Sequence, residues 1–139
     1  MAEIIRKLIS TSKAAKPVAP YNQAVVVDRT VYVSGCLGLD KETKQLVVGG
    51  AAEQTRQALQ NLIVTLEAAG SGVDKIIKNT IFVKDLNDFG TVNDEYKKVF
   101  TSHFPARSCV QVARLPMDAL VEIESIALTG KVKTETISD

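Results

Sequence analysis

Apolar side chains recur along the chain with two different spacings, and each spacing predicts its own kind of element. Between residues 51 and 69 they return every three or four positions, which is typical of an amphipathic helix, and Gly70 is a suitable C-terminal stop. A second stripe with helical spacing begins after Asp88, a predicted N-cap, continues to Phe100 and includes Asn93. The sequence therefore predicts two helices.

Strands are predicted where β-branched and aliphatic residues accumulate, or where apolar and polar residues alternate. These segments are residues 4–11, 23–27, 30–34, 73–84, 106–113 and 120–128. With the hairpin at 23–34 counted as one element, the predicted order is β-β-α-β-α-β-β. Because paired strands exclude a strict βαβ alternation, we expect an α+β fold in which two helices pack on one face of a mixed or antiparallel sheet.

The last two strand segments are interpreted as a hairpin, because the loop between them contains Pro116 and Asp118. Alternation then places Arg107 and Glu122 on the sheet face away from the helices, and Glu124 on the same face as Glu122. A guanidinium and carboxylates on strands suit the binding of a small carboxylate and the activation of a water molecule. The alternative is an ion pair between Arg107 and one of the glutamates across the sheet. Burial of this face between subunits would explain its polar pattern.

Length and charge narrow the class of protein. The 139 residues are predicted to form a single domain, with a polar tail at residues 131–139. The 17 basic residues are scattered among 16 acidic ones, so nucleic acid is not a predicted partner. We expect a cytoplasmic protein, with a mitochondrial or nuclear pool also compatible, because neither a signal peptide nor an apolar run of membrane-spanning length is visible. Cys36 and Cys109 are expected to be reduced thiols.

Few side chains offer the chemistry of a metal or cofactor site. His103 is the one histidine, which disfavours a His-based metal site or catalytic triad, and no GxGxxG or GxxxxGK[ST] motif occurs. We therefore predict neither a metal nor a cofactor. Cys109 is a candidate nucleophile if Arg107 lowers its pKa, and a half-buried structural cysteine otherwise.

Several polar residues admit a structural and a functional interpretation. Tyr21, Ser34 and Gly35 stand where strands begin or end, so they could contact a ligand or simply complete the sheet rim. Asn93 lies on the apolar stripe of the second helix, where its amide needs hydrogen-bond partners. It either braces neighbouring backbone or supports a site.

Four motifs carry a family resemblance. They are APYNQAV around Tyr21, VYVSG at 31–35, VKDLNDFGTVNDEY at 83–96 and FPARSCVQVARLPMDALVEIE at 104–124. Together they resemble the Rid family, also called the YjgF or translation-inhibitor family, in its RidA-type branch, over about residues 4–130. The resemblance implies a chorismate-mutase-like fold, a homotrimer, and ligand sites in the clefts between subunits.

The resemblance also implies an activity and residue roles. RidA-type proteins hydrolyse reactive 2-imino acids, which PLP enzymes release from serine or threonine, to 2-oxo acids and ammonia. By motif position, Arg107 would clamp the substrate carboxylate and Glu122 would orient and activate the water. Backbone groups at Cys109 would meet the imino group. The cleft would be shaped by Tyr21, Ser34, Gly35 and Asn93.

Two other functional classes are compatible with the resemblance. Members of the family have been described as endoribonucleases acting on single-stranded RNA and as translation inhibitors, although the balanced charge and the 5% aromatic content disfavour an RNA site. A trimer that binds carboxylates without catalysis, or acts like a chaperone, is the third class.

Overall fold

The computed structural model describes residues 2–139 and contains six strands and two α-helices. The strands are β1 (Arg6–Ile9), β2 (Ala24–Val27), β3 (Thr30–Leu37), β4 (Ile76–Val83), β5 (Ala106–Gln111) and β6 (Val121–Leu128). The helices are α1 (Ala51–Ala68) and α2 (Phe89–Val99). Three strands precede α1, one more than in the predicted order, because the two arms of the hairpin at 23–34 are separate strands.

The six strands form a single mixed sheet in the order β1-β2-β3-β6-β4-β5. All neighbours are antiparallel except β4 and β5, which are parallel and connected through α2. The predicted hairpin of β5 and β6 is therefore wrong. Strand β6 lies between β3 and β4, where both of its edges are paired, whereas β5 lies on the far side of β4 as an edge strand. Alternation identifies a strand but does not select its neighbour.

Both helices pack on the same face of the sheet, as predicted. Helix α1 contacts β3, β6 and α2, and its inward stripe includes Leu59, Leu62 and Leu66, which are at most 1% exposed. Burying an aliphatic side chain of this size contributes about 1.5–3 kcal/mol. The inward residues of β6 are Val121, Ile123, Ser125 and Ala127, all of which are buried.

The ends of the helices agree with the sequence signals in part. Gly70 follows α1 with a φ of 78°, the left-handed conformation that glycine adopts readily. Asp88 is the N-cap residue of α2 by position, but its side chain makes no capping hydrogen bond. Asp85 instead accepts from the Asn87 amide, 2.8 Å away. His103 lies in the loop after α2.

The opposite face of the sheet carries no helix in the described chain. Glu122, Glu124 and Ile126 of β6 point to this open face, together with Tyr32 of β3. Residues 131–139 are exposed and contain neither helix nor strand. Within residues 2–139, no helix has both the length and the hydrophobicity needed to cross a membrane.

Candidate functional site

The predicted site residues fall into two groups that one chain does not bring together. Glu122 lies on the open face, whereas the guanidinium of Arg107 contacts side chains of α2 on the helix face. The prediction that the two residues share one face is wrong, because it assumed that β5 and β6 pair directly. We use the name Glu122 cavity for the cavity that Glu122 lines, and the name Arg107 pocket for Arg107 with its contacts Asn93, Tyr96 and Phe89.

The Glu122 cavity opens beside the second half of β3. Strand β2 pairs with β3 only as far as Val33, so residues 34–37 face the incoming segment 14–21 across a gap. The cavity has a volume of about 300 Å³. Its polar lining includes Tyr21, Ser34, Cys36, Asn61, Thr65 and Glu122. Its apolar lining includes Ala14, Val18, Leu37, Leu39 and Met117.

Gly35 allows the Glu122 carboxylate to reach this cavity. A Cβ atom at Gly35 would lie 2.6 Å from Cδ and 2.7 Å from Oε1 of Glu122, closer than real side chains approach. The absence of a side chain therefore lets the carboxylate lie across β3. The register of β3 and β6 also shifts between Val33 and Cys36, which marks a bulge beside the cavity.

Electrostatics in the cavity favour protonated groups. Burial raises the pKa of Glu122, and the nearby charge of Glu124 raises it further. Burial, with a smaller contribution from Glu122, raises the pKa of the Cys36 thiol to about 12. Cys36 is therefore a neutral thiol at neutral pH. A carboxylate with a raised pKa is suited to accept a proton from a bound water molecule.

Two other predicted residues are fixed at the rim of the cavity. The Ser34 hydroxyl donates to the Asn22 carbonyl at 2.6 Å, and the Ser34 amide donates to the Gln23 carbonyl at 3.0 Å. Tyr21 follows a turn in which its amide donates to the Ala19 carbonyl. The structure thus places Tyr21, Ser34, Gly35 and Glu122 around one cavity.

The Arg107 pocket holds a guanidinium between aromatic rings and an amide. Nη2 of Arg107 donates to Oδ1 of Asn93 at 2.6 Å. The guanidinium carbon lies 4.7 Å from the ring centroid of Tyr96 and 5.5 Å from that of Phe89. Both distances are within the range of cation–π attraction. Asn93 thus supports Arg107 and does not brace backbone.

No carboxylate neutralises Arg107 within residues 2–139, so the proposed ion pair with Glu122 or Glu124 does not form in one chain. Cys109, two residues further along β5, is partly buried against the core. Burial raises the pKa of its thiol, and the opposing charge of Arg107 does not offset this. A neutral thiol fits the structural interpretation of Cys109 and not the nucleophilic one.

Sequence reasoning missed several residues around both groups. Phe89 and Tyr96 were assigned to the apolar stripe of α2, although they face a cation. Met117, on the wall of the cavity, has a φ of 58° and is followed by Asp118 at 56°, conformations that a loop prediction does not reveal. Oδ1 and Oδ2 of Asp118 each lie 3.0 Å from Nζ of Lys84, which anchors this turn.

No metal site is visible in the described residues. Among residues 2–139, no three His, Cys, Asp or Glu side chains are grouped so that they could hold a metal ion.

Comparison with known proteins identifies the family. The family model described as Endoribonuclease L-PSP matches residues 11–129. The chain is 72% identical over 137 residues to the RutC family protein UK114 of Drosophila melanogaster, covering 99% of each chain. It is 50% identical to the bovine 2-iminobutanoate/2-iminopropanoate deaminase, covering 99% of this chain and all of that one.

A solved structure has the same fold. The structure of E. coli TdcF with bound serine superposes with a TM-score of 0.85 at 41% identity, covering 89% of this chain and 99% of that chain. Fold, motifs and full-length identity agree with the resemblance drawn from the sequence. The chain belongs to the Rid family, whose sequence model is described as Endoribonuclease L-PSP.

Proposed function

We propose that this protein hydrolyses reactive 2-imino acids, such as 2-iminobutanoate and 2-iminopropanoate, to 2-oxo acids and ammonia without a cofactor. The observation that carries the proposal is the full-length identity of 50% to a protein named for this activity. The two groups of site residues supply the chemistry that the reaction needs, namely a carboxylate-binding cation and a carboxylate that can accept a proton from water.

The substrate carboxylate binds Arg107. Its guanidinium is held by Asn93 and two aromatic rings, and no carboxylate of the described chain occupies it. A planar fork of donors matches an α-carboxylate in two parallel hydrogen bonds. Because Asn93 occupies one Nη2 donor only, other N–H groups stay available for the ligand. The bound serine of E. coli TdcF supports a site of this family that accepts an amino acid.

Glu122 acts on the water that attacks the imine carbon. An iminium carbon is already electrophilic, so orientation and a general base are sufficient. Water oxygen forms a bond to C2, its proton passes to Glu122, and the C=N electron pair moves to nitrogen, giving a carbinolamine. Glu122 returns the proton to nitrogen, and the C–N bond breaks as an oxygen lone pair forms C=O. The hydroxyl proton then passes by way of Glu122 to the departing ammonia, which gives the 2-oxo acid and ammonium. The backbone at Cys109 is assigned to contact with the imino group.

The two groups require two subunits. In one chain Arg107 lies on the helix face and Glu122 reaches the cavity from the open face, so a substrate of this size cannot contact both. A homotrimer in which the open face is covered by the neighbouring subunit would bring the Arg107 pocket of one protomer to the Glu122 cavity of another. The unpaired cation and the raised-pKa carboxylate support this arrangement, because each lacks a partner that the substrate supplies.

A ribonuclease activity is the second candidate, and it is favoured by the description of the family model. The same preparation should be assayed on single-stranded RNA. Cleavage that Arg107→Ala and Glu122→Gln both abolish would assign it to this site. Cleavage that both variants retain, and that separates from the protein on a sizing column, would indicate a contaminant.

The deaminase proposal is tested by trapping the imine. A threonine dehydratase releases the 2-imino acid in the presence of semicarbazide, and semicarbazone formation is measured with and without this protein. The wild type is expected to reduce the semicarbazone. Arg107→Ala is expected to lower kcat/KM by about 100-fold, since a charge-assisted hydrogen-bond pair is lost. Arg29→Ala, in the exposed turn between β2 and β3, is the matched control and should behave like wild type. Unchanged semicarbazone with wild-type protein would contradict the proposal, and carboxylate binding without hydrolysis would indicate a binding protein.

A further inference from the structure

A row of polar side chains crosses the helix-facing side of the sheet and ends at Arg107. In the strand register, Ser125 of β6 is paired with Asn79 of β4, and Asn79 is paired with Arg107 of β5. The three residues therefore stand side by side on three adjacent strands. Asn79 is fully buried and Ser125 is 3% exposed, so this row runs through the core.

Hydrogen bonds connect the row to α2. The Ser125 hydroxyl donates to Oδ1 of Asn79, and Nδ2 of Asn79 donates to the Tyr96 hydroxyl at 2.9 Å. The Tyr96 ring lies under the guanidinium of Arg107 and stacks on Phe100 with a centroid distance of 4.2 Å. Tyr96 is only 7% exposed. The chain of contacts thus runs from Ser125 through Asn79 and Tyr96 to Arg107.

Stability alone does not account for these polar residues. The next inward positions of β4 are Ile81 and Val83, both fully buried aliphatic residues. A buried amide must satisfy its donors and acceptors to avoid a desolvation cost, and apolar residues of similar shape would fill the space without that requirement. The amide of Asn79 also has an orienting effect. Its hydrogen bond fixes the position of the Tyr96 hydroxyl and therefore of the Tyr96 ring.

Arg107 needs such support because of its place in the fold. Strand β5 is an edge strand, so Arg107 has a neighbouring strand on one side only. Asn93 contacts the guanidinium at one nitrogen, and Tyr96 bounds one of its faces. A ring held from below restricts the tilt of the guanidinium plane, while Asn93 restricts its rotation.

We propose that Ser125, Asn79 and Tyr96 are positioning residues that orient the guanidinium of Arg107 for the substrate carboxylate. The proposal rests on the proposed function for the identity of the ligand, and on the observed contacts for the direction of Arg107. None of the three residues touches the reacting atoms. Their effect is on how well the carboxylate is bound, with the chemical step at Glu122 left intact.

The test removes one polar group at a time from the core. Tyr96→Phe keeps the ring but loses the hydrogen bond from Asn79, and Asn79→Ala removes the amide. The matched control is Thr55→Val, because Thr55 is fully buried and its hydroxyl donates to the Ala51 carbonyl within α1, away from Arg107. Three properties are measured for each variant: the thermal midpoint, the Kd for 2-oxobutanoate by calorimetry, and KM and kcat with 2-iminobutanoate generated in situ.

Tyr96→Phe and Asn79→Ala are expected to raise both Kd and KM by about 5-fold with kcat within about 2-fold of wild type, since a binding contact common to ground and transition state is weakened. Thr55→Val is expected to change only the thermal midpoint. The side-chain Nε–H signal of Arg107 in the NMR spectrum is assigned by its loss in Arg107→Lys. The adjacent rings are expected to shift this signal in the wild type, and it should move in Tyr96→Phe.

The outcomes separate the two proposals. An unchanged Arg107 signal together with an unchanged Kd in Tyr96→Phe would overturn the positioning role, whether or not the wild type is a deaminase. If the wild type fails to hydrolyse the imine while the Arg107 signal and the Kd both change in Tyr96→Phe, the deaminase proposal fails and the positioning role stands. If Asn79→Ala does not fold, Tyr96→Phe decides alone, because it creates no large cavity.

Discussion

The Arg107 pocket and the Glu122 cavity provide opposite electrostatic surroundings for their charged groups. Arg107 is a cation that donates a hydrogen bond to an amide oxygen and lies against two aromatic rings, within the range of cation–π attraction. Glu122 is a carboxylate whose pKa is raised by burial and by Glu124, so its surroundings disfavour the charged form. Arg107 is suited to hold a fixed charge, and Glu122 is suited to exchange a proton.

The difference explains why neither group is a site by itself. In the proposed function, a 2-imino acid carries a carboxylate for the first group to bind and an electrophilic carbon for the second to supply with activated water. A general base is more effective when its pKa is close to the working pH, so a raised pKa at Glu122 is useful. A group that binds the substrate carboxylate must instead keep its charge at that pH. The two groups lie on opposite faces of the sheet. We propose that they therefore serve different copies of the site.

The largest effect is expected from removing the proton acceptor. Glu122→Gln should lower kcat by about 10²–10⁴-fold, the usual contribution of a general base. The same variant should be more resistant to denaturant above neutral pH. A raised pKa in the folded state means that the folded form gains stability when Glu122 is protonated and loses it as pH rises, and Gln does not have this dependence.

Steady-state kinetics and urea unfolding at pH 5 and pH 8 test this pair of expectations. A Glu122→Gln protein that has a lower free energy of unfolding than wild type at pH 8 would contradict the assignment of Glu122 to a desolvated site.

A smaller effect is expected when the carboxylate is displaced. Gly35→Ala places a Cβ where the Glu122 carboxylate lies, so kcat should fall by about 10-fold as the base moves from its position. Stability should change by less than about 1 kcal/mol, because the carboxylate is the mobile end of a side chain. Gly90→Ala, with open space around its Cβ position, is the control for the kinetic measurement. Full activity of Gly35→Ala would show that the position of the Glu122 carboxylate is not critical.

The pKa of Glu122 can be adjusted through its neighbour. Glu124→Gln removes the charge that contributes to the raised pKa, so the acid limb of the kcat/KM profile should move to lower pH. The shift should be absent when the change is made in the Glu122→Gln background. A profile measured from pH 4.5 to 8 tests this, and a shift to higher pH would reverse the sign expected for like charges.

The smallest effect is expected at the cysteine of β5. Cys109→Ser should retain activity within about 2-fold, because the role proposed there belongs to the backbone and the thiol is neutral. Complete loss of turnover in a folded Cys109→Ser protein would instead favour thiol chemistry. Alkylation of the wild type with iodoacetamide gives an independent measure of thiolate content.

Local periodicity was sufficient to predict both helices and the extent of most strands. The stripe of α1 and the alternation of β6 are local patterns, and the structure confirms both. Motif resemblance assigned site roles to Arg107, Asn93, Tyr21, Ser34, Gly35 and Glu122, and these roles stay predictions. The single-domain organisation also stays a prediction.

What the sequence did not reveal depends on contacts between distant residues. Strand β5 pairs with β4 through the α2 crossover, and no alternation pattern distinguishes that from a hairpin with β6. Asn79 interrupts the apolar inward face of β4, which is a visible signal, but its partners Tyr96 and Ser125 are 17 and 46 residues away. The close approach that requires Gly35 likewise involves Glu122 on another strand.

Subunit mixing tests most directly whether Arg107 and Glu122 of different protomers build one site. Arg107→Ala and Glu122→Gln proteins, each inactive alone, are unfolded together, refolded, and assayed for imine hydrolysis, with mixed oligomers verified by mass spectrometry. In a random mixture about a quarter of the interfaces combine an intact Arg107 with an intact Glu122, so about a quarter of wild-type activity should return. Mixed oligomers that form but stay inactive would contradict the shared site.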